Sequence, residues 1–241
     1  MKISVITATY NASTILPDLI ASLRAQTDRE FEWVVVDGLS ADSTVDIVKS
    51  AQDLHPVVVS EKDFGIYDAL NKGVGLSTGD YYVVIGADDT FDSHAIENFK
   101  NTLHQPSSLP DFVAASVLIG GKTVAPRSGL GWLYGMMGVA SCHSVGLLIK
   151  KSLHDQYGLY SNKYPILADQ FFVKTAYNQG ASIYRAPFVS GRFSIEGLSA
   201  TDHLGMLTEF FRVQVKTERF KSLQLLLFLM RLIKNINKIF T

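Results

Sequence analysis

Cysteine is nearly absent from this chain of 241 residues, with Cys142 its single example. One thiol excludes an internal disulfide framework and a cysteine-rich metal cluster and fits a reducing compartment, so a cytosolic location is expected. Charge of one sign is also missing: 22 lysines and arginines stand against 23 aspartates and glutamates. A net charge of −1 gives no electrostatic footprint for polyanions, and nucleic acid is not expected as a partner. Nor is there a long hydrophobic run. The apolar block Leu225 to Met230 is far below the roughly 20 residues needed to cross a bilayer, so no transmembrane helix is expected. At the amino end Thr7, Thr9, Tyr10 and Asn11 interrupt "MKISVITATYNAS" before a secretory core can form, and the segment reads as a first strand. What remains is the composition of a globular protein, 47% apolar and 19% charged, in a length that suits one large domain or one domain with a small appendage.

Hydrophobic periodicity switches repeatedly between the two regular patterns. Ile3, Val5 and Ile6 begin a strand, and "STILPDLIASLRAQ" then places Ile15, Leu16, Leu19, Ile20 and Leu23 on one helical face. "FEWVVVD" is a buried strand, "ADSTVDIVKSAQ" a helix opened by an Asp/Ser cap cluster, and "VVVS" a further strand. A helix at "GIYDALNKG" and a strand at "DYYVVIG" follow. Alternation of this kind predicts βαβ units: an α/β fold with a Rossmann-like, mostly parallel central sheet flanked by helices.

In such sheets ligands collect beyond the carboxyl ends of the strands. The ends here read Thr7-Ala8-Thr9-Tyr10-Asn11, Asp37-Gly38, Ser60-Glu61-Lys62-Asp63 and Gly86-Ala87-Asp88-Asp89, so three of the four carry carboxylates. Any one of these acids could serve as a helix cap or a turn residue, but capping does not require acids at three strand ends along one edge. The glycines of "GVGLSTG", residues 73 to 79, look faintly like a phosphate loop. They follow a helix and lead into a strand, the reverse of a dinucleotide fingerprint, so Gly73 is expected to stop the helix and Gly79-Asp80 to turn the chain. No Walker-type lysine motif is present.

Four segments in order, "ISVITATYN", "VVVDGLSADST", "SEKDFGIYDALNKGVGLSTGDYYVVIGADD" and "LADQFF", resemble the donor-binding and catalytic segments of family 2 glycosyltransferases, which have the GT-A fold. The similarity is greatest to bacterial enzymes of exopolysaccharide and O-antigen assembly and spans about residues 1 to 200. It implies a catalytic domain over 1–200, with a nucleotide-sugar half at about 1–105 and an acceptor half at 106–200, followed by carboxyl-terminal helices at 201–241. It also implies a divalent cation, Mn²⁺ or Mg²⁺, at the acidic motif. Where the family has Asp-x-Asp this chain has Gly86-Ala87-Asp88 and then Asp89, so Asp88 becomes the metal ligand and Asp89 the second candidate. A hard cation prefers carboxylate and phosphate oxygens, offsets the repulsion between adjacent acids and stabilises a leaving nucleoside diphosphate. By the same resemblance Asp37 recognises the nucleotide base, the Thr7 to Asn11 loop seats the nucleoside, and Glu61, Asp63, Lys72 and Ala87 line the donor site.

Downstream, "SVGLLIKKSLHDQYG" reads as a strand then a helix, and "ILADQFFVKTAYNQG" as a helix with Phe171, Phe172 and Ala176 inward and Asp169 in its first turn. Asp169 could be no more than a favourable charge at a helix amino terminus. The resemblance gives it another role, the general base that deprotonates the acceptor hydroxyl in a single displacement with inversion. His143, ahead of the fifth or sixth strand, could touch the acceptor or its phosphate, or be a hydrogen-bonded core histidine. "GRFSIEGLSA" resembles the segment that closes over the donor diphosphate, which makes Arg192 and Ser199 candidates, although Glu196 replaces the usual glycine.

From Phe220 to Phe240 the chain mixes Leu, Ile and Phe with Lys221, Arg231, Lys234 and Lys238 and contains no acid. A basic amphipathic helix of this kind could lie peripherally on the inner face of an anionic membrane and suit a lipid diphosphate-linked oligosaccharide acceptor, or could pack on the catalytic domain or on a second subunit. The expected activity is transfer of a sugar from a nucleotide-sugar, a UDP-sugar first, to a saccharide acceptor in bacterial surface polysaccharide synthesis. Sugar-phosphate nucleotidyltransferases share the layout but open with a glycine-rich loop after strand one, and "TATYNAS" has no glycine. A non-catalytic glycan-binding relative would be favoured by loss of the acids, yet Asp37, Asp88 and Asp169 are all retained.

Overall fold

A computed structural model of the chain describes residues 1–105, 107–141, 143–194 and 202–239, with Lys238 described by its backbone alone. The amino-terminal alternation is present as β1 (Ile3–Thr9), α1 (Leu16–Arg24), β2 (Phe31–Asp37), α2 (Thr44–Ser50), β3 (Val57–Ser60), α3 (Ile66–Leu76) and β4 (Tyr81–Val84). These strands run parallel in the order β3-β2-β1-β4. Alternate residues of β1 feed opposite faces: Ile3 and Val5 join the core with Leu16, Leu19 and Leu23 of α1, while Ile6 joins Leu70 and Val74 of α3. Both faces of β1, β2 and β4 are covered, so apolar residues point to both sides, whereas the edge strand β3 keeps Val57 exposed.

The expectation that Gly73 stops a helix is wrong. α3 continues through it to Leu76, and a Cβ built at Gly73 would stand 2.5 Å from Cγ2 of Ile6. The glycine lets α3 press onto β1, a packing requirement that looks in sequence like a helix end. The cap cluster before α2 is real in another form: Asp42, not Ser43, accepts the Thr44 amide at 3.0 Å and also binds the Ser13 amide at 3.1 Å.

Five further strands extend the sheet: β5 (Thr90–Phe91), β6 (Phe112–Ile119), β7 (Lys122–Val124), β8 (Leu147–Lys150) and β9 (Ile183–Phe193). The order continues β4-β8-β6-β9-β5, with β8 antiparallel to both neighbours, β6 parallel to β9, and β7 folded back on β6. His143 therefore precedes the eighth strand, not the fifth or sixth. The miscount arises from two-residue β5 and the β6–β7 hairpin, which are too short or too local to show periodicity.

The remaining helices are α4 (Ala95–Leu103), α5 (Gly131–Tyr134), α6 (Leu153–Tyr157), α7 (Ala168–Asn178), α8 (His203–Thr217), α9 (Lys221–Lys234) and α10 (Ile236–Ile239). In α7, Phe172 and Ala176 are buried as expected and Phe171 is partly so. Lys174 of the same helix is almost fully buried and pairs with Glu218 at 2.5 Å while donating to the Gly131 carbonyl at 3.0 Å. This paired internal charge ties α7, the α5 segment and the end of α8 together, since leaving either partner alone would strand a desolvated charge.

Candidate functional site

Register brings the first three strand ends into one row. Thr9 lies opposite Asp37, and Asp37 opposite Ser60. Asp37 is buried and accepts from Thr9 Oγ1 (3.0 Å), the Ser40 amide (2.9 Å), Ser60 Oγ (2.7 Å) and the Ser40 hydroxyl. Burial would push its carboxyl up, but these bonds outweigh it and hold the group below the usual carboxylate range. Its acceptor positions are filled by the chain itself, so a nucleobase N–H would have to replace one of them.

Of the first-strand loop, Thr7 does not reach this edge. It is fully buried, and its hydroxyl accepts from Trp33 Nε1 at 3.2 Å. Thr9 is buried beneath Asp37 and Ala8 is partly exposed, which leaves Tyr10, 68% exposed, and Asn11 at the surface. Asn11 adopts a left-handed backbone, φ 47°, and clasps the next loop: its amide donates to Ser40 Oγ (2.8 Å) and its Oδ1 accepts from the Ala41 amide (2.9 Å). Tyr10 and Asp63 close on Gly38, where an added Cβ would meet Asp63 Oδ2 at 2.6 Å and the Tyr10 ring at 3.4 Å. Lys72 reaches Glu61 at 2.9 Å and Asp68 at 3.3 Å, so Glu61, Asp63 and Lys72 do gather beside the ends of β1 and β2.

Beyond β4 the two adjacent acids divide. Asp88 is partly exposed. Asp89 is buried, with Oδ1 accepting from the Ser194 amide at 2.9 Å and Oδ2 from the Gly86 amide at 3.2 Å. Burial pushes Asp89 up to about 7, and the neighbouring Asp88 adds to the rise. An added Cβ at Gly86 would stand 2.8 Å from Asp88 Oδ1 and 2.9 Å from Asp89 Oδ2, so the two carboxylates converge over the glycine. A side chain at position 86 would displace them, which is a physical reason for glycine where the family has aspartate. No group of three or more His, Cys, Asp or Glu residues able to hold a metal occurs among the described residues. The donor set is thus one or two carboxylates, with Ala87 buried between strand and acids, and this fits a hard cation that completes its shell with water and phosphate oxygens.

His143 stacks on Phe193 with ring centroids 3.6 Å apart, and its Nδ1 lies 3.9 Å from Asp89 Oδ2. Burial brings the imidazole down to about 4, so it is neutral at pH 7 and the approach to Asp89 is not an ion pair there. Its Nδ1 also accepts the Val145 amide at 3.5 Å, so a structural role is visible. Arg192 is exposed on β9, paired in register with Thr90 beside the acidic motif. Ser199 and Glu196 lie outside the described residues.

Asp169 sits in the first turn of α7 and keeps a partly exposed edge. Its Oδ1 accepts from the Tyr67 hydroxyl at 2.7 Å and from the Gln170 amide at 2.8 Å. Burial raises its carboxyl, against the lowering effect of those two bonds and with a further raising contribution from Glu209. Tyr67 stands in the first turn of α3, immediately after the Glu61 to Asp63 edge, so it links the proposed base to the donor side. Tyr67, Ser40, Ser60, Phe193 and Glu209 were not singled out in sequence. Tyr67 lies inside the family-like "GIYDALNKG" and could have been found there, whereas Glu209 acts from a helix more than forty residues beyond its partners and left no local signal.

Comparison with known proteins identifies the family and the fold. Residues 4–138 match the model of Glycosyl transferase family 2. A PGL/p-HBAD biosynthesis glycosyltransferase of Mycobacterium bovis is 29% identical over 188 residues, 76% of this chain and 72% of that protein. Among solved structures, Staphylococcus aureus TarS (1–349) in complex with UDP-GlcNAc superposes with a TM-score of 0.70 at 17% identity, covering 98% of this chain and 73% of that one. A mannosyltransferase of Pyrobaculum calidifontis in complex with GDP-Man and Mn²⁺ gives 0.67 at 17% identity, covering 92% and 67%. The fold is that of the GT-A glycosyltransferases.

Proposed function

The chain belongs to glycosyl transferase family 2, and on that premise we propose that it moves a sugar from a nucleotide-sugar, with UDP-sugars first, to a saccharide acceptor carried on a lipid diphosphate. The observation that carries this reading is the convergence of Asp88 and Asp89 over Gly86 at the carboxyl edge of the sheet. Asp88, the more exposed of the pair, would hold Mn²⁺ or Mg²⁺, with Asp89 fixing the turn beneath it. When bound, the cation would offset the charge of the donor diphosphate. Tyr10, Asn11, Asp37, Glu61, Asp63 and Lys72 frame the nucleoside end.

Asp169 supplies the base. Its Oδ1 accepts from Tyr67 and Gln170, and the residue keeps a partly exposed edge from which an acceptor hydroxyl can approach the carboxylate. In the displacement, the acceptor oxygen attacks the anomeric carbon, its proton passes to Asp169, and the bond to the nucleoside diphosphate breaks with the electron pair leaving on the phosphate oxygen. One attack on the face opposite the leaving group inverts the anomeric centre. The donor reading is tested by thermal unfolding with Mn²⁺ and a panel of nucleotide-sugars. A donor at about 100 times its Kd stabilises by about 2.7 kcal/mol, a rise in Tm of about 5–10 °C for a chain of this size. Such a rise is expected with a UDP-sugar; no rise with any member of the panel would count against the donor site.

The lipid end of the acceptor is suggested by α9, which carries apolar residues on both sides. Inward, Phe228 stacks on Phe211 with ring centroids 4.6 Å apart, Gln224 is buried and donates to the Trp132 carbonyl at 2.8 Å, and Arg231 donates to the Leu133 carbonyl at 2.7 Å. Leu225, Leu226, Leu229, Met230 and Ile233 are exposed, with Lys221 and Lys234 exposed as well. No helix of the described residues is long and apolar enough to cross a membrane. An outward apolar face with only cations in its segment suits the headgroup boundary of an anionic bilayer. The triple variant Leu226→Gln, Leu229→Gln, Ile233→Gln should lose flotation with phosphatidylglycerol vesicles while keeping its Tm; flotation equal to that of wild type would remove the membrane from the account.

A further inference from the structure

The turn that carries Asp169 is gripped from two sides by residues distant in sequence. α7 has no side-chain cap of its own; Glu209 of α8 instead places Oε2 3.0 Å from the Ile166 amide and 2.9 Å from the Leu167 amide, accepting both. These are N–H groups at the start of a helix that would otherwise lack a partner. From the opposite side the Tyr67 hydroxyl lies 2.8 Å from the Ile166 carbonyl as well as 2.7 Å from Asp169 Oδ1. Ile166 is therefore pinned through its N–H by α8 and through its C=O by α3, three residues before the base. We propose that Tyr67 and Glu209 are the positioning residues of Asp169, Tyr67 through its hydrogen bond to Oδ1 and Glu209 through its grip on the turn that carries the base. The proposal rests on the reading of Asp169 as base.

The hydroxyl chemistry suits a group that alternates between ionised and protonated states. Tyr67 has one proton and two acceptors within reach, Asp169 Oδ1 and the Ile166 carbonyl. While Asp169 is ionised, Tyr67 donates to the carboxylate. Once Asp169 has taken the acceptor's proton, the phenol can turn its own proton to the Ile166 carbonyl. The phenol proton has an acceptor in either state, so gaining the proton on Asp169 requires no movement of Tyr67's loop contacts.

Titratable groups from four elements lie around Asp169. Tyr67 of α3 bonds it directly, Tyr82 of β4 and Tyr160 of the segment between α6 and α7 interact with it electrostatically, and Glu209 of α8 holds the two amides that precede its helix. Tyr82 and Tyr160 bond each other at 2.7 Å and stay neutral because burial raises both phenols. Glu209 is thus the one like charge in this set. It belongs to α8, beyond residue 200, so the carboxyl-terminal helices complete the base's support.

The test is the pH dependence of transfer in the full chain. A base must be ionised to act, so kcat rises with pH as Asp169 loses its proton. Glu209→Gln keeps an amide oxygen for the two N–H groups but removes the opposing charge, and should move the acidic limb of kcat to lower pH. Tyr67→Phe removes the hydroxyl that favours the ionised form, and should move the same limb to higher pH with a fall in kcat of about tenfold, the scale of one lost hydrogen bond to a charged group. Donor affinity by calorimetry and Tm should stay close to wild type in Glu209→Gln. Opposite displacements support the proposal. A limb that stays at the wild-type pH in either variant overturns that residue's part, even if kcat or stability falls, because a purely structural brace changes amplitude and not the midpoint. The reading of Asp169 itself fails separately: it falls only if Asp169→Asn transfers sugar within a few-fold of the wild-type rate.

Discussion

Asp169→Asn lowers transfer by about 10²- to 10⁴-fold and leaves donor affinity at the wild-type value. The magnitude is that of a positioned general base, and the selectivity follows from where the residue stands. Asp169 opens α7, and its Oδ1 accepts from Tyr67 and Gln170. An asparagine oxygen at the Oδ1 position keeps both of those bonds, so the loop held by Glu209 and Tyr67 is not disturbed. What disappears is the basicity of the second oxygen. Steady-state assays should therefore show the loss in kcat, with calorimetric binding of UDP unchanged. Turnover within a few-fold of wild type would place the base elsewhere.

Asp88→Ala gives the second large effect, a fall in transfer of at least about 10²-fold, the scale of losing a group that stabilises charge on a leaving oxygen. Asp88 is a cleaner probe than its neighbour. It is partly exposed and makes no side-chain hydrogen bond among the described residues, so its removal should leave folding stability within about 0.5 kcal/mol. Asp89 accepts the Gly86 and Ser194 amides from a buried position, and its loss would confuse a broken turn with a lost ligand. Excess Mn²⁺ should recover part of the Asp88→Ala deficit if residual ligands still capture the ion; a wild-type rate without added metal would dismiss Asp88 as its holder.

The first hundred residues were legible because each element there states its period over enough residues to be read. "FEWVVVD" and "VVVS" are strands over the expected spans, 31–37 and 57–60, and the carboxylates fall at one edge as parallel pairing requires. Gly73 shows where local reading stops. Its reason for being small is Ile6, sixty-seven positions earlier, and only the packed pair reveals it. The same holds for Thr7, whose polar side chain in an exposed-looking loop motif is buried against Trp33. β5, the exception within the first hundred residues, and β7 beyond them carry two and three residues, too few for a pattern, and the sheet order after β4 depends on long-range pairing.

The acids of the candidate site are readable from the sequence, whereas the residues that hold them are not. Asp37, Asp88 and Asp169 follow from strand-end placement and family resemblance. Ser40, Ser60, Tyr67 and Glu209, which set the orientation and charge of those acids, come from other elements and have no spacing that links them to their partners. Gly86 changes meaning with the structure: in sequence it is a missing aspartate, and in the fold it is the space into which Asp88 and Asp89 turn.

The most direct test of a metal-dependent sugar transferase with its ion on Asp88 is a calorimetric titration of UDP into the full chain with and without Mn²⁺. The account predicts binding that requires the ion in wild type and is weakened by about tenfold or more in Asp88→Ala, as expected when one charge-assisted ligand contact is removed. UDP binding of equal strength with and without Mn²⁺, unaffected by Asp88→Ala, would contradict it.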